Sequence, residues 1–169
     1  MQSDDAHLHR FRDEVMPIAD RLFRLALSLV GARQEAEDVV QDTMLRLWEK
    51  RDAWNTIKNI EAWCIASVRN ASIDCTRTRH THDTLPDDDN RPSATPTPHE
   101  HLVAAEGRDN ATRILEGLPE LQRSIFVLRE VECKSYAEIA SLLNISDAQV
   151  KTYLLRARRH LREQFVKIS

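Results

Sequence analysis

Apolar residues return every three or four positions along most of the chain, and β-branched runs are scarce. That spacing predicts helices throughout. Phe11, Val15, Ile18, Ala19, Leu22, Ala26 and Leu29 trace one amphipathic stripe ending near Val30-Gly31. Pro17 interrupts it, as a helix start or a kink. A second helix is predicted over Arg33 to Lys50, with Ala36, Val40, Met44, Leu47 and Trp48 as its apolar side. Asp52 to Asn59 is expected to be a loop. Ile60 to Arg79 is the next helix, with Trp63, Ile65, Ala66, Val68 and Ile73 among its packing residues.

The pattern then breaks. From about His80 to Pro98, HTHDTLPDDDNRPSATPTP holds Leu85 as its only large aliphatic residue. So little apolar surface cannot offset the cost of ordering, and the stretch reads as a flexible acidic linker. Helical spacing resumes at Leu102, Val103, Ala105, Ile114 and Leu115. Gly117-Leu118-Pro119 marks a boundary, with Pro119 in the first turn of a helix from Glu120 to Val131.

The chain from Leu118 to Lys167 carries the clearest local motif. Ser135 and Glu138 make one S-x-x-E capping pair, and Ser146 and Gln149 make an S-x-x-Q pair. Asn144 lies between them, fit for a tight turn or a helix cap. A short helix, a turn and a longer helix from Asp147 to about Arg162 form a helix-turn-helix. Val150 and Leu154 are expected to pack on Ile139, Leu142 and Leu143, with Leu161 and Phe165 extending the stripe.

Charge sharpens this reading. The net charge of the 169 residues is −3, too low for a protein that coats nucleic acid indiscriminately. Its distribution is uneven. Lys151, Arg156, Arg158, Arg159 and Arg162 occur with no carboxylate among them, whereas the linker is acidic. Such a chain meets phosphate with one end only. Cys64, Cys75 and Cys133 are far apart, without C-x-x-C spacing, consistent with a reduced cytoplasmic protein. No 18-residue apolar run suits a bilayer, and the first residues, MQSDDAHLHRF, are unlike a secretory signal. Neither a Gly-rich phosphate loop nor a nucleophile elbow supports an enzyme, and no cofactor is expected. The H-x-H pairs His80/His82 and His99/His101 lack cysteine support, so solvated histidines are expected there rather than a metal site.

Two blocks in this order carry a resemblance. AEDVVQDTMLRLWEK (Ala36 to Lys50) with AWCIASVRNASIDCTRTR (Ala62 to Arg79) resembles region 2 of the sigma-70 family. Leu118 to Glu163 resembles region 4. Together they resemble an extracytoplasmic-function sigma factor, a minimal promoter-specificity subunit of bacterial RNA polymerase. The resemblance implies an all-α protein of two small helical domains: 1–80, a region 2-like bundle binding core polymerase and the minus-ten element, and 100–169, a region 4-like domain binding the minus-thirty-five element. Residues 81–99 would be the linker.

The resemblance also assigns residues. On the Ala36–Lys50 helix, Asp38, Gln41 and Asp42 would dock on the clamp helices of the polymerase β′ subunit, with Leu45 and Trp48 adding apolar contact. The β flap of the core enzyme is a further expected partner. Lys58, Asn59, Arg69, Asn70 and Arg77 would face minus-ten DNA, Asn70 offering an amide donor and acceptor to a base edge. Asp74 reads rather as a structural carboxylate paired with an arginine, and Trp54 as either a stacking platform or a loop anchor. Gln149, Lys151, Thr152, Arg156 and Arg159 would read or grip minus-thirty-five DNA. The resemblance further implies an anti-sigma factor, often membrane-bound in the family. A DNA-binding regulator acting without polymerase is the alternative, but it leaves the first block unexplained.

The chain departs from the family in places. Tyr153 stands where an arginine is usual, and Cys133 where a glycine often precedes the helix. Promoter sequence therefore does not transfer from relatives.

Overall fold

The computed structural model describes residues 2–83 and 111–168, and among these every regular element is helical. The elements are α1 (Gln2–Arg10), α2 (Ala19–Val30), α3 (Arg33–Glu49), α4 (Ile60–Asp83), α5 (111–116), α6 (Glu120–Phe126), α7 (Tyr136–Leu143) and α8 (Asp147–Ile168).

The amphipathic stripe from Phe11 begins earlier than its apolar spacing indicates. Helix α1 precedes it, and Phe11–Val15 and Met16–Ile18 form a wide turn and a tight 3-10 turn that lead into α2. Pro17 lies in the tight turn, which explains the break in spacing. Gly31 ends α2 at φ 79°, a left-handed conformation that glycine adopts without a Cβ clash. The expected loop at Asp52–Asn59 is in part a 3-10 turn, Arg51–Thr56. It is anchored by Trp54, 1% exposed, whose indole N–H donates to the Leu47 carbonyl at 2.8 Å. Trp54 is thus a loop anchor, and burial removes it as a stacking platform.

Helix α4 continues through Asp83, so the first four residues of the expected linker are helical. The rest of that linker, His99, His101 and the spacing at Leu102–Ala105 lie outside the described residues. Pro119 stands immediately before α6 as its N-cap rather than inside the first turn. Helix α6 is shorter than expected, because a wide turn over Val127–Val131 takes its last part.

Both capping pairs are formed. Ser135 accepts from the Glu138 amide while the Glu138 carboxylate accepts from the Ser135 amide. Ser146 and Gln149 repeat the exchange. Asn144 caps α7 in the left-handed conformation, φ 54°. Helix α8 runs past Arg162 to Ile168, and Val150, Leu154, Ala157 and Leu161 are its buried side. Phe165 does not join them: it is 59% exposed.

One continuous apolar core joins the first block to the second. Leu22, Leu25, Leu29, Ile65 and Val68 belong to the same buried cluster as Ile125, Leu128, Ile139, Val150 and Leu154. Helix α6 and the turn after it pack on α2, and α7 packs on α4. The two regions are pressed together, and a smaller cluster of Ile114, Leu118, Ala157 and Leu161 holds α5 to α8.

Candidate functional site

Three surfaces collect the residues singled out by sequence. The first is on α3. Val39, Val40, Thr43 and Leu47 are buried, so Asp38, Gln41, Asp42 and Leu45 are left exposed on the outer side. Leu45 is 56% exposed beside these three polar groups, a combination that suits a partly apolar contact. Trp48 is different. It is half-buried in an aromatic cluster, edge-on to Phe11 at 5.7 Å and to Trp54 at 6.2 Å, with the Arg51 guanidinium over its ring at 5.1 Å. Its packing role is visible, and only one part of the ring remains for a partner.

The second surface lies along α4. A groove of about 460 Å³ between α3 and α4 is lined by Glu35, Asp38, Asp42, Arg46, Asn70 and Asp74. Asn70 therefore opens onto the same groove as the acidic residues of α3. Arg77 is exposed two turns further on and borders a second groove with Thr76, Arg79, Glu116, Glu120 and Arg123. Lys58 and Asn59 are exposed at the other end of α4, about 16 Å from Asn70 by helical rise. The Asn59 side-chain oxygen accepts from the Ala62 amide at 3.0 Å, which caps α4. Arg69 is half-buried, with its Nε enclosed and without a hydrogen-bond partner. Of the five residues expected at minus-ten DNA, Arg69, Asn70 and Arg77 lie on α4 and Lys58 and Asn59 just before it, and they do not form one pocket. Asp74 is exposed, and no ion pair to it occurs among the described residues, so the expected arginine partner is not found. Arg79 pairs instead with Glu35 and the Val30 carbonyl.

The third surface is the outer side of α8. Lys151, Thr152, Arg156 and Arg159 are all exposed and fall within an arc of about 140° at 100° per residue. Gln149 is also exposed, but its carbonyl oxygen is committed to the cap at Ser146. Lys151 lies over the Tyr136 ring at 6.0 Å, with Arg129 over the same ring at 4.9 Å. Arg158 is drawn out of the arc by an ion pair to Glu130, its Nε 2.9 Å from the carboxylate. Tyr153 is half-buried and carries the Arg156 guanidinium over its ring at 5.8 Å. Sequence reasoning passed over Leu155, which is 60% exposed in the middle of this basic arc. Its spacing of four from both Lys151 and Arg159 was the available signal.

The cysteines do not add a site. Cys64 is buried, which pushes its thiol up to about 12 and keeps it un-ionised. No group of metal-ligating side chains occurs among the described residues, and no helix among them is long and apolar enough to cross a membrane.

Comparison with known proteins matches two segments of the chain to sequence families. Residues 15–81 match sigma-70 region 2, and residues 108–161 match sigma-70 region 4. The ECF RNA polymerase sigma factor SigF of Caulobacter vibrioides is 32% identical over 139 residues, covering 79% of this chain and 73% of that protein. SigW of Bacillus subtilis, of the same description, is 26% identical and spans 91% of this chain and 88% of its own length. SigE of Mycolicibacterium smegmatis is 29% identical across 98% of this chain, which spans 65% of that relative's length. Among solved structures, the sigma factor RpoE of Bartonella quintana in complex with the anti-sigma factor NepR superposes with a TM-score of 0.66 at 26% identity, over 92% of this chain and 96% of that one. CnrH in complex with the cytosolic domain of CnrY reaches 0.74 at 22% identity, over 99% and 95%, a likeness of fold.

Proposed function

Because the chain belongs to the extracytoplasmic-function sigma factors of the sigma-70 family, we propose that it is a promoter-specificity subunit of bacterial RNA polymerase, working in the cytoplasm without catalysis of its own. One observation carries the reading to this chain's own residues: an exposed acidic ridge on α3 and an exposed basic arc on α8 occur in one molecule. A conventional repressor needs only the second.

In this reading residues 1–80 bind the core enzyme and the minus-ten element, and residues 100–169 bind the minus-thirty-five element. Asp38, Gln41, Asp42 and Leu45 meet the β′ clamp helices, where carboxylates next to an exposed leucine suit a basic, partly apolar helix pair. Trp48 contributes only the part of its ring left open. Asn70 and Arg77 bracket the ridge of α4 offered to minus-ten DNA, with Lys58, Asn59 and Arg69 at its margins. On α8, Lys151, Thr152 and Gln149 lie nearest the helix start that enters a major groove, while Arg156 and Arg159 reach backbone phosphates. Leu155 in their midst offers an apolar contact for a thymine methyl group. The Bartonella relative is held by an anti-sigma factor, and the same class of inhibitor is the expected partner here.

The test is transcription from a promoter library with purified core polymerase and this protein. Core-dependent, sequence-selective initiation supports the reading. A protein that binds DNA through α8 but never associates with core is a conventional regulator instead.

A further inference from the structure

We propose that Tyr153 is a positioning residue for DNA binding: its half-buried ring holds the Arg156 guanidinium, and so sets where that arginine meets the DNA backbone. The proposal rests on the promoter-binding role of α8 given above. An arginine is usual at position 153 in the family, so the arrangement is not part of the usual family pattern.

The ring is anchored before it meets the arginine. Around α8, at about 100° per residue, Tyr153 lies about 40° from Ala157 and about 60° from Arg156. Ala157 is buried and Arg156 is exposed, so Tyr153 stands on the boundary between the packed and open sides of the helix. Its ring packs against the main apolar core, and the Arg156 Cζ lies over it, 5.8 Å from the centroid. Long helical side chains lean toward the helix start, and Arg156, over the ring of a residue three earlier, follows that direction. The guanidinium is thereby drawn toward the end of α8 that enters a major groove.

Two neighbouring arginines of this helix are treated in opposite ways. Arg158 is held by Glu130, with its Nε 2.9 Å from the carboxylate, which takes up both charge and donors. Among the described residues no carboxylate pairs with Arg156. A ring against the flat face of a guanidinium leaves the in-plane N–H groups for phosphate oxygens. Tyr153 therefore orients a charge without neutralising it. A long side chain loses rotamer freedom when it grips a ligand, and a support that already restricts it reduces that loss. Phosphate contacts fix the register of a recognition helix on the duplex, so the placement of Arg156 bears on how Lys151 and Thr152 meet the bases.

The test is a double-mutant cycle on the holoenzyme, core polymerase with the full chain, titrated on a promoter duplex taken from the library selection. Tyr153→Phe keeps the ring and should bind as the wild type does. Tyr153→Leu keeps an apolar side chain at the core without the ring, and should weaken promoter binding by about 2- to 5-fold. Tyr153→Met is a second ring-free variant with the same expected loss, should Tyr153→Leu not fold. Arg156→Ala should weaken binding at least as much, and in its background losing the ring should have no further effect. In NMR spectra of the free protein, the Arg156 side-chain protons should be shifted upfield by the ring in the wild type and Tyr153→Phe, and not in the ring-free variants.

Full binding by the ring-free variants overturns the proposal. So does a loss that persists undiminished beside Arg156→Ala, which would make the ring merely structural or a direct DNA contact. An equal loss in Tyr153→Phe would assign the effect to the hydroxyl and overturn it too. Core-dependent promoter binding without the Arg156 shift overturns the ring contact and leaves the sigma-factor reading standing. A wild type that never binds promoter with core overturns that reading, and the positioning role with it, even where the shift is present.

Discussion

Glu132 accepts a hydrogen bond from Arg24 at 2.8 Å across 108 residues of sequence, with its carboxylate almost closed off from solvent. The Arg24 hydrogen bond, foremost, and then the charges of Arg24 and Arg21 hold that carboxyl below the usual range, against the opposing effect of burial.

The sign of the resulting pH dependence is fixed. A carboxyl depressed in the folded protein stabilises it fully above the unfolded value, near 4.3, and that contribution is lost as pH falls through the lower folded value. Glu138, depressed by its capping hydrogen bonds, adds a loss of the same sign. Comparing the wild type with Glu132→Gln separates them. The stability difference, measured by denaturant unfolding, should be largest near pH 7 and shrink below about pH 4. A difference independent of pH would show that the lost packing, not the charge, matters.

Arg123 should be the costliest single charge to remove. Its guanidinium satisfies four carbonyls: those of Ser28 and Leu29 across the seam, and those of Glu116 at 3.0 Å and Leu118 at 2.9 Å beside it. Burial lowers its pKa, yet arginine stays charged where lysine would readily give up its proton. Arg123→Met should destabilise by about 2–4 kcal/mol, from several carbonyls left unpaired. Arg123→Lys should recover only part of that, because one ammonium cannot span four acceptors. Equal stability of the two variants in chemical denaturation would argue that volume alone counts there.

Cys133 adopts φ 54°, the left-handed region, between Glu132 and Lys134. Its exposed thiol makes only a weak contact, 4.0 Å to the Val131 carbonyl. Cys133→Gly should therefore stabilise the protein by about 0.5–1 kcal/mol, the relieved backbone strain outweighing the added freedom of the unfolded chain. Thermal unfolding under reducing conditions measures it. A lower midpoint would mean that the side chain contributes more than its contacts indicate.

How much of this was legible follows from the range of the interactions. The capping boxes at Ser135 and Ser146 and the left-handed caps at Gly31 and Asn144 depend on neighbours three or four residues away, and all were readable. So was most of the buried side of α3 and α8, which periodicity determines, although Val39, Thr43 and Ala157 were not singled out and Phe165 is exposed. Helix α1 was missed because its polar sequence carries little periodic signal; its packing depends on tertiary contacts such as His7 against Trp54 at 5.8 Å. The docking of the two regions was illegible for a different reason. Arg24 and Glu132 resemble ordinary solvated charges in sequence, and nothing local reveals that they meet. The same holds for Arg158, whose place in a basic run concealed its pairing with Glu130.

The strongest functional prediction separates the two exposed surfaces. Asp38 and Lys151 are both exposed, so truncating either should leave the fold and the stability nearly unchanged, within about 0.5 kcal/mol. Asp38→Ala should weaken core binding without altering the affinity of α8 for duplex DNA. Lys151→Ala should impair initiation at promoters that depend on a minus-thirty-five element while sparing core binding. Loss of one base contact corresponds to about 1–3 kcal/mol, or roughly 5- to 150-fold in promoter affinity. A phosphate contact would weaken all sequences alike and reduce the salt dependence of binding by about one counterion. Measuring Lys151→Ala against matched promoters with and without the upstream element, at two salt concentrations, distinguishes these roles. Equal losses on both promoters would remove Lys151 from the sequence-reading set and leave it as a phosphate contact.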